Sequence, residues 1–393
     1  MRTTKFLAPA VVAVAGITLA GCAPAGGTGG DVGDAVPVAI ITSETGPLAA
    51  YGEAYLNGFK AGLDYATDGT GTVDGRELDI TYLDDAGDAD TAVSLAKDVI
   101  GNGTQIIAGT VSSGIALGLA EQAAQNEILY ISGPAAADAV TGVNEYTFRS
   151  GRQTYQDVAT AGTFLTDLAG QTVVVFAQDT AFGQGNAAAV EAVLGAQGAT
   201  VTSILVPEDA TEFTPFAQQV LGSGADLAFV AWAGATSASM WQALSQQGVF
   251  EAMPVVTGLG DISTYGAYGE ASEQISFLSH YFGGASGTDA EAAMIDGLDA
   301  LGAEADLFSP DGFVAAQMIV QAVAEGGDTV DGMIAALEGY TFEGPKGTTT
   351  IRAEDHAVIQ PMFQARLVAD GDTFVPELIA VVDADTVAPP VAG

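Results

Sequence analysis

The chain alternates short apolar runs with stretches of helical spacing, and it does so twice. No other feature restricts the fold as much. Val36–Thr42 (VPVAIIT) suits a buried strand, and Ala49–Thr67 follows with Tyr51, Tyr55, Phe59 and Leu63 recurring every four residues. Glu77–Leu83 reads as a strand, Thr91–Ile100 as a helix, Gln105–Gly109 as a strand, Ser113–Gln125 as a helix and Ile128–Ser132 as a strand. The rhythm then restarts. Tyr155–Leu168 is predicted helical, Thr172–Gln178 (TVVVFAQ) a strand, Asn186–Gln197 a helix, Thr200–Val206 a strand and Phe213–Leu221 a helix. Leu227–Ala231, Ser237–Gln247 and Pro254–Thr257 continue as strand, helix and strand. Thr288–Leu337 is mainly helical, and Thr348–Val382 reads as short strands with turns such as Asp370-Gly371. Strands separated by helices must pair in parallel, so the expectation is an α/β protein with two doubly wound sheets.

Two such units place a crevice between the carboxyl ends of their strands, where ligands of open α/β sheets bind. The loops facing it are Thr42–Tyr51, Thr110–Gly114, Ser132–Asp138, Asp179–Gly185, Trp232–Thr236 and Gly258–Ser263.

Composition removes several function classes. Ten Lys+Arg stand against 49 Asp+Glu, a net charge of −39. Nucleic acid is not the expected partner, because phosphate binding needs clustered Lys and Arg. Docking on an anionic membrane through a basic face is disfavoured for the same reason. The single Cys allows no intrachain disulfide and no Cys-based zinc site. Two histidines, His280 and His356, are too few for a His-rich metal centre. No cofactor and no metal are expected.

Residues 1–21 carry Arg2, Lys5 and an apolar stretch from Phe6 to Leu19, the pattern of a secretory signal peptide. Leu19-Ala20-Gly21-Cys22 looks like a bacterial lipobox, in which the Cys is acylated and becomes the first residue of the mature chain. The expectation is lipidation at Cys22, a flexible Gly/Pro-rich tether over 22–35, and a chain anchored on the outer face of the plasma membrane or in the periplasm.

The loops themselves carry an ordered series. Thr45-Gly46-Pro47-Leu48-Ala49-Ala50-Tyr51-Gly52 comes first, then Asp84-Asp85-Ala86-Gly87-Asp88, then Gly109-Thr110-Val111-Ser112-Ser113-Gly114. Asp179-Thr180-Ala181-Phe182-Gly183-Gln184-Gly185 opens the second unit, and Phe342-Glu343-Gly344-Pro345-Lys346-Gly347 and Arg352-Ala353-Glu354-Asp355-His356 lie near the end. In order and spacing this resembles the leucine/isoleucine/valine-binding family of ABC-transporter solute-binding proteins. The resemblance implies a type I periplasmic-binding fold: two Rossmann-like lobes joined by three chain crossings that close on a small solute. It places the crossings near Arg149–Gln153, Ile275–Phe282 and Gly344–Gly347. The first lobe would combine 36–150 with 280–345, the second 151–279 with 346–384, with a tail over 385–393. The implied partners are a small-molecule ligand, an ABC permease in the membrane and a lipid anchor, and the implied state is a monomer.

By the same resemblance Ser113 matches a serine that binds a ligand carboxylate. A helix N-terminus supports that role with free N–H groups, although Ser112 or Ser113 would also serve as a plain cap. Tyr51 matches an aromatic lining the side-chain pocket, against a core position in the row with Tyr55 and Phe59. Phe182 matches a position often held by Tyr. Two departures stand out. Ala136 falls where the family often has Thr, and Leu259 falls near a Glu that pairs with the ligand ammonium in amino-acid binders; Asp261 would replace that Glu only if the loop shifts. Trp232 offers a stacking face beside the cleft or a buried strand end. The run Asp84, Asp85, Asp88 and Asp90 lacks the Gly and terminal Glu of an EF-hand, which favours turn and capping roles. Gly183-Gln184-Gly185-Asn186-Ala187-Ala188 fits G-x-G-x-x-A but lies too far past its strand for a dinucleotide turn. The leading expectation is a binding protein without chemistry; a ligand sensor of the same fold and a secreted dinucleotide-dependent enzyme are the alternatives.

Overall fold

The computed structural model describes residues 35–371 and 373–392; the leader, Cys22 and the tether through residue 34 lie outside them. The first sheet is built from β1 (Val36–Thr42), β2 (Thr72–Val73), β3 (Arg76–Asp84), β4 (Ile106–Gly109), β5 (Leu129–Ser132) and β6 (Thr147–Arg149). Helices α1 (Ala49–Ala66), α2 (Ala89–Gly101) and α3 (Ser113–Asn126) link them. The order is β2-β3-β1-β4-β5-β6, parallel throughout apart from the β2–β3 hairpin. β4 and β5 are buried at every position, which is why they read as unbroken apolar runs rather than alternating ones.

The second unit runs α4 (Thr154–Phe164), β7 (Thr172–Gln178), α5 (Ala181–Val190), β8 (Thr200–Val206), α6 (Thr214–Gly222), β9 (Leu227–Ala231), α7 (Ser237–Gln246), α8 (Val249–Ala252), β10 (Val255–Gly258), α9 (Ile262–Tyr268) and β11 (Ile275–Ser279). The chain then builds α10 (Asp289–Leu301), α11 (Ser309–Gly326) and α12 (Val330–Leu337), followed by β12 (Thr341–Gly344), β13 (Gly347–Ile351), β14 (Val358–Ile359), β15 (Met362–Asp370) and β16 (Thr373–Val382). The second sheet has the order β16-β15-β11-β10-β9-β7-β8, in which β15 pairs antiparallel with both β11 and β16 and the other pairs are parallel. β12, β13 and β14 form a small antiparallel sheet of their own.

Three local expectations need correcting. α5 starts at Ala181 instead of Asn186, because the Thr180 hydroxyl accepts the Gly183 N–H (3.2 Å) and caps the helix ahead of its glycines. α4 stops at Phe164, short of Leu168. Residues 347–359 do not join the second sheet: Ile351 and Val358 pack with Phe342 in the core that also holds Val38, Tyr55 and Phe148. The final passage into the second sheet therefore falls between Ile359 and Met362, later than the Gly344–Gly347 turn, which is a hairpin within the small sheet.

Helices α1 and α11 approach closely enough to require glycine. A Cβ on Gly312 would stand 2.0 Å from the Tyr55 carbonyl oxygen, and one on Gly58 would stand 1.9 Å from that of Ser309. This contact carries Phe308, at the start of α11, against Tyr51 on α1, with ring centroids 4.9 Å apart. Gly312→Ala is expected to destabilise the protein by about 1–3 kcal/mol through overpacking. A urea titration should show a lower midpoint with an unchanged slope; an unchanged midpoint would mean that the helices separate freely.

Candidate ligand-binding cleft

The sheet order locates the site. From β1 the chain moves to β3 on one side, while β4 lies on the other, so the loops after β1 and β4 diverge. The second sheet repeats this at β7, with β8 and β9 on opposite sides. Such switch points open crevices at strand carboxyl ends. Here the two crevices form one cleft enclosing about 1280 Å³, its open mouth included. Ser113, Tyr51 and Ala136 line it from the first lobe, and Phe182, Trp232 and Leu259 from the second, so all six expected residues face one space.

On the first wall, α3 opens at Ser113 and the extended Ser112 makes no side-chain cap. The first-turn N–H groups have no intrahelical acceptor, and Ser112, Ser113 and Gly114 border the cleft. The Ser113 hydroxyl accepts the Ala137 N–H (3.1 Å), which ties the loop after β5 to the helix. The Ala136 carbonyl accepts from the Thr154 N–H and hydroxyl, both at 2.8 Å. Tyr51 is buried and its hydroxyl accepts the Gly234 N–H (3.3 Å). Burial, reinforced by Asp261, pushes its phenol above the usual range, so it is neutral.

The opposite wall is mostly apolar. Trp232 stacks on Phe176 (5.4 Å), meets Phe213 edge-on (5.3 Å) and donates its indole N–H to Thr236 (3.0 Å). It is thus both a packed strand end and a cleft surface. Leu259 is buried, with its N–H on the Leu278 carbonyl (2.8 Å). Asp261 does not replace it, since its carboxylate is taken by the hydroxyls of Ser263 and Thr264 at the start of α9.

The floor holds residues that sequence reasoning did not place in the cleft: Arg152, Asp157, His280 and Phe308. Arg152 donates to the Pro134 carbonyl (2.8 Å) and pairs with Asp157 (3.2 Å), and its guanidinium carbon lies 5.5 Å from the centre of the Phe308 ring. His280 stacks on the same ring at 5.0 Å. Burial, with Arg152 and Lys346 nearby, holds His280 well below the usual histidine range, so the ring is neutral. No local pattern marks these residues, because Phe308 reaches the floor only through the α1–α11 packing.

The acidic run away from the cleft is structural. Asp85 is buried and accepts from the hydroxyls of Ser43 (2.6 Å) and Thr110 (2.5 Å), joining the loops after β1, β3 and β4. Asp84 accepts from Glu44, Thr45 and Ala86, and Asp88 caps α2 at Thr91 (2.7 Å). Among the described residues no group of three or more His, Cys, Asp or Glu is placed to hold a metal. In the G-x-G-x-x-A run, Gly183 sits inside α5, where no strand-to-helix turn is available for a pyrophosphate.

The lobes touch across the mouth. The Ala235 N–H donates to the Pro47 carbonyl (3.0 Å), and Gly234, at φ +81°, lies so close that a Cβ would stand 2.7 Å from the same oxygen. Asp306, just ahead of α11, accepts the Ile262 N–H of the other lobe (3.3 Å) and the Leu307 N–H (2.7 Å). Burial, with Asp261 beside it, pushes Asp306 up to about 7 against these hydrogen bonds.

Two lobes of parallel sheet with facing switch points, enclosing one cleft and touching at its mouth, define a bilobal solute-binding protein. The sequence agrees: residues 35–372 match the family described as periplasmic binding protein, and the chain belongs to that family. Among curated relatives, Leu/Ile/Val-binding protein BraC3 of Rhizobium johnstonii is 28% identical over 198 residues, which is 49% of this chain and 53% of that one, so the match spans about half of the relative's length. Among solved structures, an ABC-type branched-chain amino acid transporter protein from Rhodopseudomonas palustris is 30% identical, with 91% of this chain and 99% of that chain covered and a TM-score of 0.75. A solute-binding protein of an R. palustris ABC transporter, in complex with 4-hydroxybenzoate, shares the fold at 20% identity, with 89% and 97% covered and a TM-score of 0.81. These relatives are transport binding proteins, not enzymes.

Asp306 gives a test with a defined sign. Its folded value lies above the ordinary carboxylate value, so the folded state holds the extra proton. The stabilisation is complete below about pH 4 and is lost as pH rises through about 7. Asp306→Asn keeps an oxygen for both N–H groups but cannot ionise. Urea titrations at pH 5 and pH 8 should show the wild type losing more stability than the variant; equal losses would contradict the assignment.

Proposed function

We propose that this protein is a lipid-anchored, extracytoplasmic solute receptor of an ABC importer and that it captures a small carboxylate with an apolar or aromatic body between its lobes. The observation that carries the reading is the polarity of the cleft. One wall offers the uncapped start of α3 at Ser113, and the other offers Phe182, Trp232 and Leu259. A carboxylate fits the first, because helix N-termini combine free donors with a favourable dipole. An apolar body fits the second. A zwitterionic amino acid fits less well: Asp157 is engaged by Arg152, Asp261 by its own helix, and Glu208 lines the cleft from an exposed loop. The branched-chain and aromatic-acid relatives bracket this chemistry. On this reading the two lobes act as a monomer that delivers its solute to a membrane permease, and the interlobe contacts at Pro47, Tyr51 and Asp306 belong to the closed state.

A thermal-shift panel of aromatic acids, short aliphatic acids, leucine, its amide, urea and a dipeptide should separate these ligands. A ligand at 100 times its Kd stabilises by about 2.7 kcal/mol, or roughly 5–10 °C for lobes of this size. A carboxylate is expected to give that shift, and Ser113→Ala should remove most of it. A shift from the amide or urea alone would contradict the reading. For the anchor, Cys22→Ser should be released from the membrane or remain unprocessed; membrane retention like the wild type would exclude lipidation there.

A further inference from the structure

The cleft floor contains a cationic donor that the protein only partly uses. Arg152 is 5% exposed, and its hydrogen bonds run through Nε to Asp157 and through Nη1 to the Pro134 carbonyl. Among the described residues Nη2 donates to no protein atom, although the side chain borders the cleft. His280 borders the same floor, is 4% exposed, and its Nε2 has no partner. Phe308 fixes both groups, stacked on the imidazole and facing the guanidinium. Polar groups in a protein interior are rarely left without a partner, so a spare guanidinium donor and an unpartnered imidazole nitrogen in a binding cleft point to a polar group on the ligand.

The floor lies close to the carboxylate end. Arg152 holds the Pro134 carbonyl, and Ser113 holds the Ala137 N–H, three residues further along one short loop. Resting on the carboxylate reading above, we infer that Arg152 and His280 form a second polar subsite that accepts an oxygen next to the ligand's carboxylate, which makes the preferred solutes 2-oxo or 2-hydroxy acids. Arg152 can donate but cannot accept, so an ammonium at the same carbon meets repulsion from the guanidinium. A bare methylene leaves the donors unpaired. The side chains at Ala136 and Leu259, which also line the cleft, offer nothing to an ammonium. Discrimination by hydrogen bonding to a ligand oxygen is stronger than discrimination by apolar fit, because the rejected analogue strands buried polar groups.

The test uses ligands that share a skeleton and differ only at the second carbon. On the leucine skeleton these are 4-methyl-2-oxopentanoate, 4-methylpentanoate and leucine; on the phenylalanine skeleton they are phenylpyruvate, 3-phenylpropanoate and phenylalanine. Calorimetric titration of the wild type should show at least one oxo acid binding about tenfold or more tighter than its plain acid and its amino acid, as expected for a charged donor. Arg152→Gln should weaken the oxo acid more than the plain acid and bring the two to within about threefold of each other. His280→Phe, which keeps the stack on Phe308, should reduce the preference in part. Equal binding of the oxo and plain acids by the wild type would overturn the subsite and leave the carboxylate reading intact, provided that Ser113→Ala still weakens both. Preference for either amino acid, or no binding by either oxo acid, would also overturn it. If Arg152→Gln lost the oxo and plain acids equally, Arg152 would hold the carboxylate itself and no second subsite would exist.

Discussion

Arg149, the last residue of β6, buries its guanidinium completely and spends it on main-chain oxygens. It donates to the carbonyls of Ala137 (3.0 Å), Ala135 (2.5 Å) and Arg152 (2.8 Å). Burial lowers its pKa only to about 10, so it stays charged at neutral pH. These bonds join the loop after β5 to the first passage between the lobes. The loop's path then fixes everything that touches it: Ala137 presents its N–H to Ser113, Pro134 its carbonyl to Arg152, and Ala136 its carbonyl to the first residue of α4. The carboxylate wall, the cleft floor and the start of the second lobe therefore share one electrostatic brace. A shorter side chain at this position would strand several interior carbonyls at once, each at a cost of about 1–3 kcal/mol.

Beside this brace the protein buries opposite charges where the lobes meet. Asp311 is pushed up to about 6 and Lys346 down to about 8, in both cases by burial, and each is partly rescued by the other. Asp157 is raised by burial and held back by Arg152. A cluster of this kind adds little net stability, but losing one member leaves the rest uncompensated. Its place between the lobes also explains why Arg152 can serve two purposes. One edge of the guanidinium is neutralised by Asp157, and another faces the cleft.

The architecture was legible because a buried parallel strand leaves a plain trace. β4, β5 and β9 have no solvent-facing residues, so each is an apolar run, and the intervening helices set the order. The loops of the cleft walls were legible for the same reason: once the strands are placed, the segments after them face the crevice, whereas Ser113, Phe182 and Leu259 were picked out on those loops by the family resemblance, and all three line the cleft. The floor was hidden because it depends on contacts between distant segments. Phe308 has no motif of its own and meets Tyr51 only because glycines let α1 and α11 touch. The last passage between the lobes was misplaced because β13 and β14 look like any short strands. Their membership is decided by Ile351 and Val358, which pack beside Phe342 in the first core. The early start of α5 escaped notice because Gly183 and Gly185 suggest a loop, whereas the Thr180 cap is enough to begin the helix.

The central claim is that a ligand held between these lobes favours the closed arrangement, in which Pro47 meets Ala235 and Asp306 meets Ile262. A ligand shifts such an equilibrium only through contacts that the closed state alone supplies. Small-angle X-ray scattering on the purified protein, with and without a saturating carboxylate, tests this directly. The account predicts a smaller radius of gyration when the ligand is bound. The same radius at saturation would show that the cleft binds without moving its lobes and would contradict it.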